Sequence, residues 1–340
     1  MKIKIAAILT LLVATSHAGG VARLGVKVVD SETGQPIPQI KVYGGFKNYP
    51  KAWGIGAKNN SDEEVTDSEG FCQLSGRTEA GHSSCIVRGN EGFYDSGWYS
   101  FDYEKRSALK FGRWIPDDVI ITARLDRVVN PISLYVKKAE IQYGMNSFAE
   151  LLPLQESFSY DLLKGDWLPP YGKGRISDIN FTVKKVMLGL EPYEYPSGIK
   201  TNEFYRYDVK VGFNGLMNGM IEKVPAYKSM LKLRIAPTDG YVPERVCWRG
   251  RLSRTEYKNN NNPDRCYYIR IRTELDENGV IKKAYYGKIY GDFNLFEEKN
   301  ILTNIKFLYY LNPTPNDRNL EWDMKNNLCP TQERIHNPQP

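Results

Sequence analysis

Residues 26–42 read VKVVDSETGQPIPQIKV, and this stretch decides the fold that the chain is expected to have. Val26 and Val28 alternate with other residues at the period of a strand with one buried face. The segment SETGQP at 31–36 has the composition of a turn, and apolar residues alternate again over 40–42. The stretch therefore predicts two β-strands joined by a turn.

A second segment of the same kind lies at 65–74, VTDSEGFCQL, which reads as strand, tight turn and strand. Gly34 and Gly70 supply turn positions that favour a positive φ. Asp side chains at such turns accept hydrogen bonds from nearby amides. The two segments together predict consecutive strands joined by tight turns.

These two segments resemble the carboxypeptidase regulatory-like family, a transthyretin-like β-sandwich module. The matching residues are Val28, Asp30, Thr33, Gly34, Pro36, Ile37 and Val42 in the first segment and Thr66, Asp67, Gly70 and Phe71 in the second. Two features depart from the family pattern: Phe71 follows Gly70 directly, and Cys72 stands where an ordinary strand residue is usual. The resemblance implies a sandwich, and modules of this family are usually not catalytic.

The module is expected to continue through an aromatic stretch at 93–103 and to close with a strand at 119–125. We therefore predict a first domain at 19–135, a second β-rich domain at 140–330 and a polar tail at 331–340. A mature chain of about 320 residues is longer than one core usually serves. The predicted fold class is mostly β: an N-terminal transthyretin- or Ig-like β-sandwich, then a second antiparallel sandwich or jelly-roll-like domain.

The second domain is expected to contain a series of strands and one short helix at 147–152. The strands are predicted at 179–186, 205–213, 230–235, 267–275, 281–293 and 304–311. The sequence DENG at 276–279 carries a strong hairpin signal between two of them. As a whole, this domain resembles uncharacterised exported bacterial proteins, and that likeness implies no known activity.

The first 18 residues have the three parts of a secretory signal peptide. MKIK is a short basic segment, IAAILTLLVA at 5–14 is mostly apolar, and Ser16 and Ala18 are the small residues of a cleavage site. About ten apolar residues are too few for a helix that crosses ~30 Å of hydrocarbon. We therefore predict cleavage near Ala18 and a secreted or periplasmic protein; the alternative is a cytoplasmic protein with a buried first helix.

The charge and hydropathy of the remaining chain exclude two classes of partner. Cleavage removes Lys2 and Lys4, so the net charge falls from +6 to +4, and this excess is spread along the chain. Binding to nucleic acid would need a concentrated basic face. No later stretch approaches 18 uninterrupted apolar residues, so no membrane span is expected.

Five cysteines follow the predicted cleavage site, and an oxidising compartment would allow them to pair. Proximity along the chain favours Cys72 with Cys85 and Cys247 with Cys266, which leaves Cys329 over. Other pairings, or five buried thiols, are also compatible with the sequence. A zinc site is not expected, because the sequence has no C-x-x-C and only two histidines follow the cleavage site.

Nucleophilic catalysis needs a base beside Ser or Cys, and His82 is the one histidine expected in a folded part of the mature chain. A dyad of Cys85 and His82 is conceivable, but the sequence GHSSC is more typical of a loop with a solvated histidine. The sequence also lacks the nucleophile-elbow, phosphate-loop and H-E-x-x-H motifs. No catalytic residue, metal site or cofactor is therefore predicted.

Paired carboxylates are harder to exclude, because such a pair has no fixed spacing in the sequence. A glycosidase could use two of Asp161, Asp166, Asp292 and Glu321. The acidic segment at 62–69 could offer oxygen ligands to Ca²⁺, although it lacks the EF-hand spacing. In both cases the alternative is that the acids are ordinary surface or turn residues.

Aromatic residues give the most suggestive binding signal. Trp98, Tyr99, Trp167 and Tyr171 lie in segments rich in Gly and Pro, where exposed rings can stack on sugars or anchor a protein partner. Packing inside a sandwich is the alternative for each ring. These four residues are the candidate binding residues.

The preferred hypothesis is an exported, non-enzymatic binding or structural protein of the bacterial envelope or exterior. Its first domain would act as a spacer or adhesion module, and its second domain would recognise a glycan or a protein. The alternative is a polysaccharide-active hydrolase that uses a carboxylate pair in the second domain. Two carboxyl groups about 5–10 Å apart in an aromatic cleft would favour the hydrolase.

Overall fold

The structure is a computed structural model that describes residues 19–48, 59–90, 92–103, 109–141, 154, 156–225, 229, 231–298 and 300–329. The regular secondary structure in these ranges consists of β-strands, with no helix, which confirms the predicted mostly-β fold class. The predicted signal peptide, the predicted helix at 147–152 and the polar tail lie outside the described residues. The described residues divide into two compact units between Val129 and Asn130.

The first unit is a sandwich of two sheets. Its described strands are β1 (Gly20–Asp30), β2 (Lys41–Phe46), β3 (Asn60–Val65), β4 (Phe71–Thr78), β5 (His82–Arg88), β6 (Tyr99–Asp102), β7 (Leu109–Lys110), β8 (Arg113–Trp114) and β9 (Ile120–Leu125). One sheet has the order β4-β1-β8-β7 with β9 also paired to β1, and the other has the order β3-β2-β5-β6. The pairs are antiparallel except that β1 runs parallel to β8 and β9.

Strand β1 shows why this unit folds as a sandwich. Leu24, Val26 and Val28 are buried on one face, while Lys27 between them is exposed. The buried side chains share one core with Val42 of the facing sheet. Burying an aliphatic side chain of this size stabilises the fold by roughly 1.5–3 kcal/mol. The alternation in the sequence therefore becomes the inner face of a two-layer core.

The two turns quoted above meet at one corner of this sandwich. The Val28 N–H donates to the Gly70 carbonyl (2.7 Å), and the Ile37 N–H donates to the Val28 carbonyl (3.0 Å). Asp30 and Asp67 each accept hydrogen bonds from two backbone N–H groups of their own turn. The corner is thus held by backbone and side-chain bonds that both turn sequences supply.

Two glycines with nearly the same φ provide a test of this corner. Gly70 has a φ of 69°, and a Cβ there would lie 2.6 Å from the Val28 carbonyl oxygen. Gly34 has a φ of 70°, but a Cβ there would meet nothing within 4 Å. We expect Gly34→Ala to lower the free energy of unfolding by about 1 kcal/mol, the cost of a left-handed alanine. Gly70→Ala should cost about 3 kcal/mol, because the neighbouring backbone must also move.

Urea unfolding of the two variants measures this difference. Similar losses in both would contradict the close approach of Gly70 to β1.

The second unit is a sandwich of two six-stranded sheets. Its described strands are β10 (Ile132–Glu140), β11 (Ser157–Asp161), β12 (Asp166–Trp167), β13 (Ile179–Tyr195), β14 (Gly198–Phe213), β15 (Gly219–Lys223), β16 (Glu244–Arg251), β17 (Tyr257–Asn259), β18 (Cys266–Leu275), β19 (Ile281–Glu298), β20 (Ile301–Leu311) and β21 (Trp322–Asn327). The sheets have the orders β15-β18-β19-β20-β10-β21 and β12-β11-β13-β14-β16-β17. Strand β10 belongs to this unit, although the predicted first domain runs to residue 135.

An aromatic core joins these two sheets. The Phe181 ring of β13 lies 6.0 Å, between centroids, from the ring of Phe293 on β19 and from that of Phe307 on β20. All three side chains are almost fully buried. Aromatic pairs at such separations add about 0.5–1.5 kcal/mol each beyond the area that they bury.

Five of the six strands predicted in the second domain lie within described strands, but the strand at 230–235 is wrong where the structure describes it. Residues 231–235 form turns and loop, and Ile235 makes only an isolated bridge to Asn319. The segment is held to residues 318–320 by single bonds, such as the Leu320 N–H to the Arg234 carbonyl (2.7 Å). Within 231–235 only Leu231 is buried, so the apolar residues of the segment do not form one buried strand face.

A buried ion cluster also connects the two sheets of the second unit. Arg272 of β18 has a φ of 50° at a β-bulge, and its guanidinium donates to Asp161 (2.7 Å) and to Asp178 (2.8 Å). Burial raises the pKa of Asp178 above its usual value, although Arg272 opposes the shift. Burial acts in the same direction on Asp161, but three backbone N–H groups and Arg272 outweigh it and lower its pKa.

Candidate functional site

The four candidate binding residues do not come together in one site. In the first unit, the side chain of Trp98 is 57% exposed, whereas Tyr99 packs against the core. The Tyr99 hydroxyl accepts a hydrogen bond from the Arg124 N–H (3.1 Å). In the second unit, Trp167 is buried, and Tyr171 is partly buried against that core.

Trp167 is a core residue of the second unit. Only 4% of it is exposed, and its ring contacts those of Phe158, Tyr160 and Phe307. Its indole N–H donates to the Glu140 carbonyl (3.0 Å). The surrounding Gly and Pro residues shape the loop after β12 and do not expose the ring.

All five cysteines lie among the described residues as buried thiols. Cys72 on β4 and Cys85 on β5 belong to facing sheets and share the first core. Burial raises the pKa of Cys72 to about 11 and that of Cys85 to about 12, so both thiols stay protonated at neutral pH. The structure brings this predicted pair into one core without a bond between them.

The second predicted pair is not brought together. Cys247 lies in the second core on β16, whereas Cys266 lies on β18 in the other sheet. The neighbour of Cys266, Tyr267, points into that core, so alternation along β18 turns Cys266 to the opposite face, beside Tyr290. A bond between Cys247 and Cys266 would have to pass through the sheet.

His82 is placed in a strand and not in the predicted loop. It is the first residue of β5, and its Nδ1 lies 2.5 Å from an Asp102 carboxylate oxygen on β6. Cys85 points into the core, and a residue three positions away in a strand faces the other side. The structure therefore does not bring the two side chains of the conceivable dyad together.

The four acids considered for a hydrolase are engaged in structural hydrogen bonds. Asp161 binds Arg272 and three backbone N–H groups, and Asp292 accepts the Tyr267 hydroxyl (2.6 Å). The remaining two accept hydrogen bonds from backbone N–H groups: Asp166 from Trp167 and Lys173, and Glu321 from Asn130. Asp161, Asp292 and Glu321 are almost fully buried. These contacts give no support to the hydrolase alternative.

The acidic segment at 62–69 forms strand and turn. Asp62 accepts the Ser75 N–H (2.7 Å), Glu63 pairs with Lys41 (3.0 Å), and Asp67 caps its own turn. Within the described residues, no three His, Cys, Asp or Glu side chains are grouped so that they could hold a metal ion.

The feature that the sequence did not indicate is a projecting β-hairpin in the second unit. Strands β13 and β14 pair from Ile179 with Phe213 to Tyr195 with Gly198. Their sheet neighbours cover only the base, because β11 reaches no further than Thr182 and the partners of β16 begin at Tyr205. The described residues place no strand beside the outer part, residues 187–204, which we call the arm. At ~3.4 Å per residue, its strands are roughly 25–30 Å long.

The arm exposes apolar side chains on both faces. Ile199 is 79% exposed and Leu190 is 65% exposed on one face. On the other face, Tyr193 contacts Tyr195 edge-on, and the Lys200 ammonium lies 3.8 Å from the centroid of the Tyr195 ring. A two-stranded ribbon buries little apolar surface by itself and is marginally stable in water. The arm therefore presents a surface that gains from being covered.

The two edges of the arm differ in their ability to accept another strand. Pro192 opposes Thr201 and has no N–H, so this pair is not hydrogen-bonded across the hairpin, and the Thr201 N–H and carbonyl point outward. The backbone groups of odd-numbered β14 residues also point outward at the base of the hairpin, where the Phe213 N–H donates to the Pro243 carbonyl, away from β13. Pro192 interrupts the β13 edge, whereas Ile199, Thr201 and Glu203 leave the β14 edge open.

Polar contacts tie the arm to the unit at its base, among them the pair of Lys185 with Glu203 (3.3 Å). The Arg251 guanidinium donates to Asn202 (3.2 Å), and Arg254 pairs with Glu191 (2.8 Å). Strand β16 ends at Arg251, and beyond it the described residues place no strand next to β14.

No family model matches this chain, and no curated protein matches it. Among solved structures, it is similar to the major pilin SpaD from Corynebacterium diphtheriae, with 8% identity over 85% of this chain and 64% of the pilin and a TM-score of 0.24. The chain therefore spans less than two thirds of that pilin. Two other pilins are also similar: SpaA from Lactobacillus rhamnosus GG (8% identity, 89% and 94% coverage, TM-score 0.21) and BcpA from Bacillus cereus (10% identity, 84% and 95% coverage, TM-score 0.20). Scores this low carry no conclusion about this chain.

Within the ranges that the structure describes, no helix is long and apolar enough to cross a membrane.

Proposed function

We propose that this chain is an exported, non-enzymatic binding protein that holds a protein partner through the arm of its second unit. The observation that carries the proposal is the open β14 edge beside exposed apolar side chains. An exposed edge with unpaired backbone groups is a template for strand addition, and the flanking side chains give specificity.

The partner is expected to add one extended strand antiparallel to β14, in the position beyond Arg251. Its backbone would bond to the outward groups of Ile199, Thr201 and Glu203. Its side chains would cover Ile199 on one face and lie near Lys200 on the other. This geometry favours a segment with β-branched or aromatic residues and an acidic residue that can approach Lys200.

Export rests on the sequence of residues 1–18, with its basic, apolar and small-residue segments. Secretion or transfer to a periplasm would place the arm where a surface or envelope protein can reach it.

The first unit is proposed to be a carboxypeptidase regulatory-like module that serves as a spacer. The residues of the resemblance support this, because the segments around Asp30 and Asp67 meet at one corner and both carry the expected turn glycines. Thr66 adds to the corner: its hydroxyl donates to the Ile37 carbonyl (2.8 Å) and accepts the Ile40 N–H (3.0 Å).

Site-specific photo-crosslinking tests the proposed function. A photo-reactive residue at position 199 should give a crosslinked product of defined mass in cells that export the protein. The matched control is position 280, where Val280 is 61% exposed on the turn between β18 and β19. Equal crosslinking at both positions, or none at position 199, would contradict the proposal.

A proline substitution tests the mode of binding. Thr201→Pro removes an outward N–H without touching the bonds between β13 and β14, so the arm should stay folded. One lost backbone bond and a blocked edge should lower the crosslinking yield at position 199 about 10-fold, since a bond is worth roughly 1 kcal/mol. Thr201→Val keeps the N–H and should crosslink as the unmodified chain does; a similar loss in both variants would argue against strand addition.

A further inference from the structure

The second unit contains a cavity of about 180 Å³ that opens between β16 and β19. Phe293 and Leu295 line its base but are almost fully buried, and Phe296, which is 41% exposed, contributes an apolar ring. Asparagine side chains contribute the polar wall, from residues 259–261 and from Asn294. We call this cavity the amide pocket. A cavity of roughly 150 Å³ holds one benzene ring, so the amide pocket has room for a single six-membered ring.

Two polar groups of the wall asparagines have no hydrogen-bond partner within the described residues: one side-chain NH₂ group and one side-chain oxygen. Asn259 uses its Oδ1 to accept the Asn261 N–H (2.9 Å), and within the described residues its Nδ2 has no partner. Asn261 uses its Nδ2 to donate to the Phe293 carbonyl (3.3 Å) and to Asn294 (3.0 Å), which leaves its Oδ1. Asn260 is fully engaged, with Trp248 and Val246. A ligand is thus offered an NH₂ group and a carbonyl oxygen two residues apart.

The charge of the amide pocket is balanced. Arg249 lines the pocket, and its Nε lies 3.7 Å from Oε2 of Glu297, whose side chain is 5% exposed. Both atoms are buried without a hydrogen-bond partner. The carboxylate offsets the guanidinium, so a charged ligand would enter without a counter-charge. The Nδ2 of Asn259 and the Oδ1 of Asn261 instead suit a neutral molecule whose groups both donate and accept hydrogen bonds.

We propose that the amide pocket binds one neutral sugar ring. Hydroxyl groups donate and accept at the same atom, so neighbouring hydroxyls can accept from the Asn259 NH₂ and donate to the Asn261 Oδ1. The apolar face of the sugar would contact the partly exposed ring of Phe296. A purely apolar ligand would displace water from these amides without replacing its hydrogen bonds, which costs about 1–3 kcal/mol for each group that the ligand covers. This site is separate from the arm and does not depend on the proposed protein partner.

Side-chain amide signals in ¹⁵N–¹H NMR spectra of the whole chain test the proposal. The probes are D-glucose, D-galactose, D-mannose and N-acetyl-D-glucosamine, each titrated alone. At least one should shift the Nδ2 signals of Asn259 and Asn261 in a saturable manner. If none of the four does so, the proposal is overturned.

Asn259→Asp makes the test specific to the pocket. The substitution keeps the oxygen that accepts the hydrogen bond from the Asn261 N–H and removes the NH₂ group that is available to a ligand. Loss of one neutral hydrogen bond predicts binding about 3- to 10-fold weaker. Asn278→Asp, which changes the charge equally on the exposed turn before β19, should bind as the unmodified chain does.

Undiminished binding by Asn259→Asp, or the same weakening in Asn278→Asp, would overturn the assignment. Thr201→Pro in the arm should leave sugar binding unchanged, so failure of the arm proposal and failure of this one are distinguishable.

Discussion

Arg272→Met is expected to lower the free energy of unfolding of the second unit by roughly 3 kcal/mol at neutral pH. The guanidinium is the partner of two buried carboxylates, Asp161 and Asp178. Methionine fills much of the same space but leaves both acids without a counter-charge. We place the loss at the lower end of the range for buried ion pairs, because the Arg272 side chain is 22% exposed.

The loss should shrink as the pH is lowered. Burial already raises the pKa of Asp178 in the folded protein, and removing Arg272 raises it further. A raised carboxyl pKa means that the folded state binds the proton more tightly than the unfolded state, so stability increases as the pH falls through that pKa. Asp161 contributes in the same sense: its lowered pKa stabilises the unmodified fold above the unfolded pKa, and part of that gain is absent in the variant.

Urea unfolding at several pH values, combined with Asp178→Asn, measures the effect. The double variant should lose much less than the sum of the two single variants, because the neutral amide no longer needs the guanidinium. Additive losses, or a loss that is independent of pH, would show that Arg272 contributes by packing alone.

Trp167→Ala should have a comparable or larger effect, a loss of about 3–5 kcal/mol in the free energy of unfolding. The substitution leaves a cavity among Phe158, Tyr160 and Phe307 and removes the partner of the Glu140 carbonyl. Trp98→Ala is the matched control, and we expect a change within about 0.5 kcal/mol because its ring is mostly exposed.

Calorimetry of the whole chain separates the two outcomes, because Trp167→Ala should lower the melting temperature of the second unit. A Trp167→Ala variant as stable as Trp98→Ala would show that the core tolerates the cavity. A large loss of unfolding free energy in Trp98→Ala would show that the Trp98 ring packs against other side chains.

The turns were the part of the fold that local sequence could specify. Asp30 and Asp67 cap backbone N–H groups within a few residues, and Gly34 and Gly70 adopt positive φ, so the chemistry of each turn lies inside its own segment. That Gly70 comes within reach of β1 depends on the pairing of distant strands, and only the structure shows it.

The cysteines show where proximity along the chain misleads. Cys247 and Cys266 are close in sequence, but β16 and β18 lie in different sheets. A one-residue difference in register decides which face a side chain takes, so Cys266 and Tyr267 point in opposite directions. The sequence shows that Cys266 and Tyr267 face opposite sides of their strand. It does not show which sheet contains that strand.

Sequence reasoning missed the arm and did not foresee the burial of Trp167, for related reasons. Trp167 lies in a loop-like sequence yet fills a core, because β11, β13 and β20 surround it. The apolar residues of the arm lie outside the predicted strands at 179–186 and 205–213, and among the described residues no neighbouring strand covers Leu190 or Ile199. Burial is set by what packs from elsewhere in the chain, and a local pattern does not carry that information.

The pairing of first and last strands in each unit has a consequence for the time course of folding. Gly25 of β1 lies opposite Ile120 of β9, which is 95 residues further along the chain. In the second unit, β10 lies between β20 and β21, so its sheet also closes on the final strands. Neither sandwich can complete its core until nearly all of its residues are available, and contacts of such long range make folding slow, on the order of milliseconds to seconds. If the chain is exported as proposed, each unit would remain unfolded and accessible to chaperones until nearly all of it has crossed the membrane.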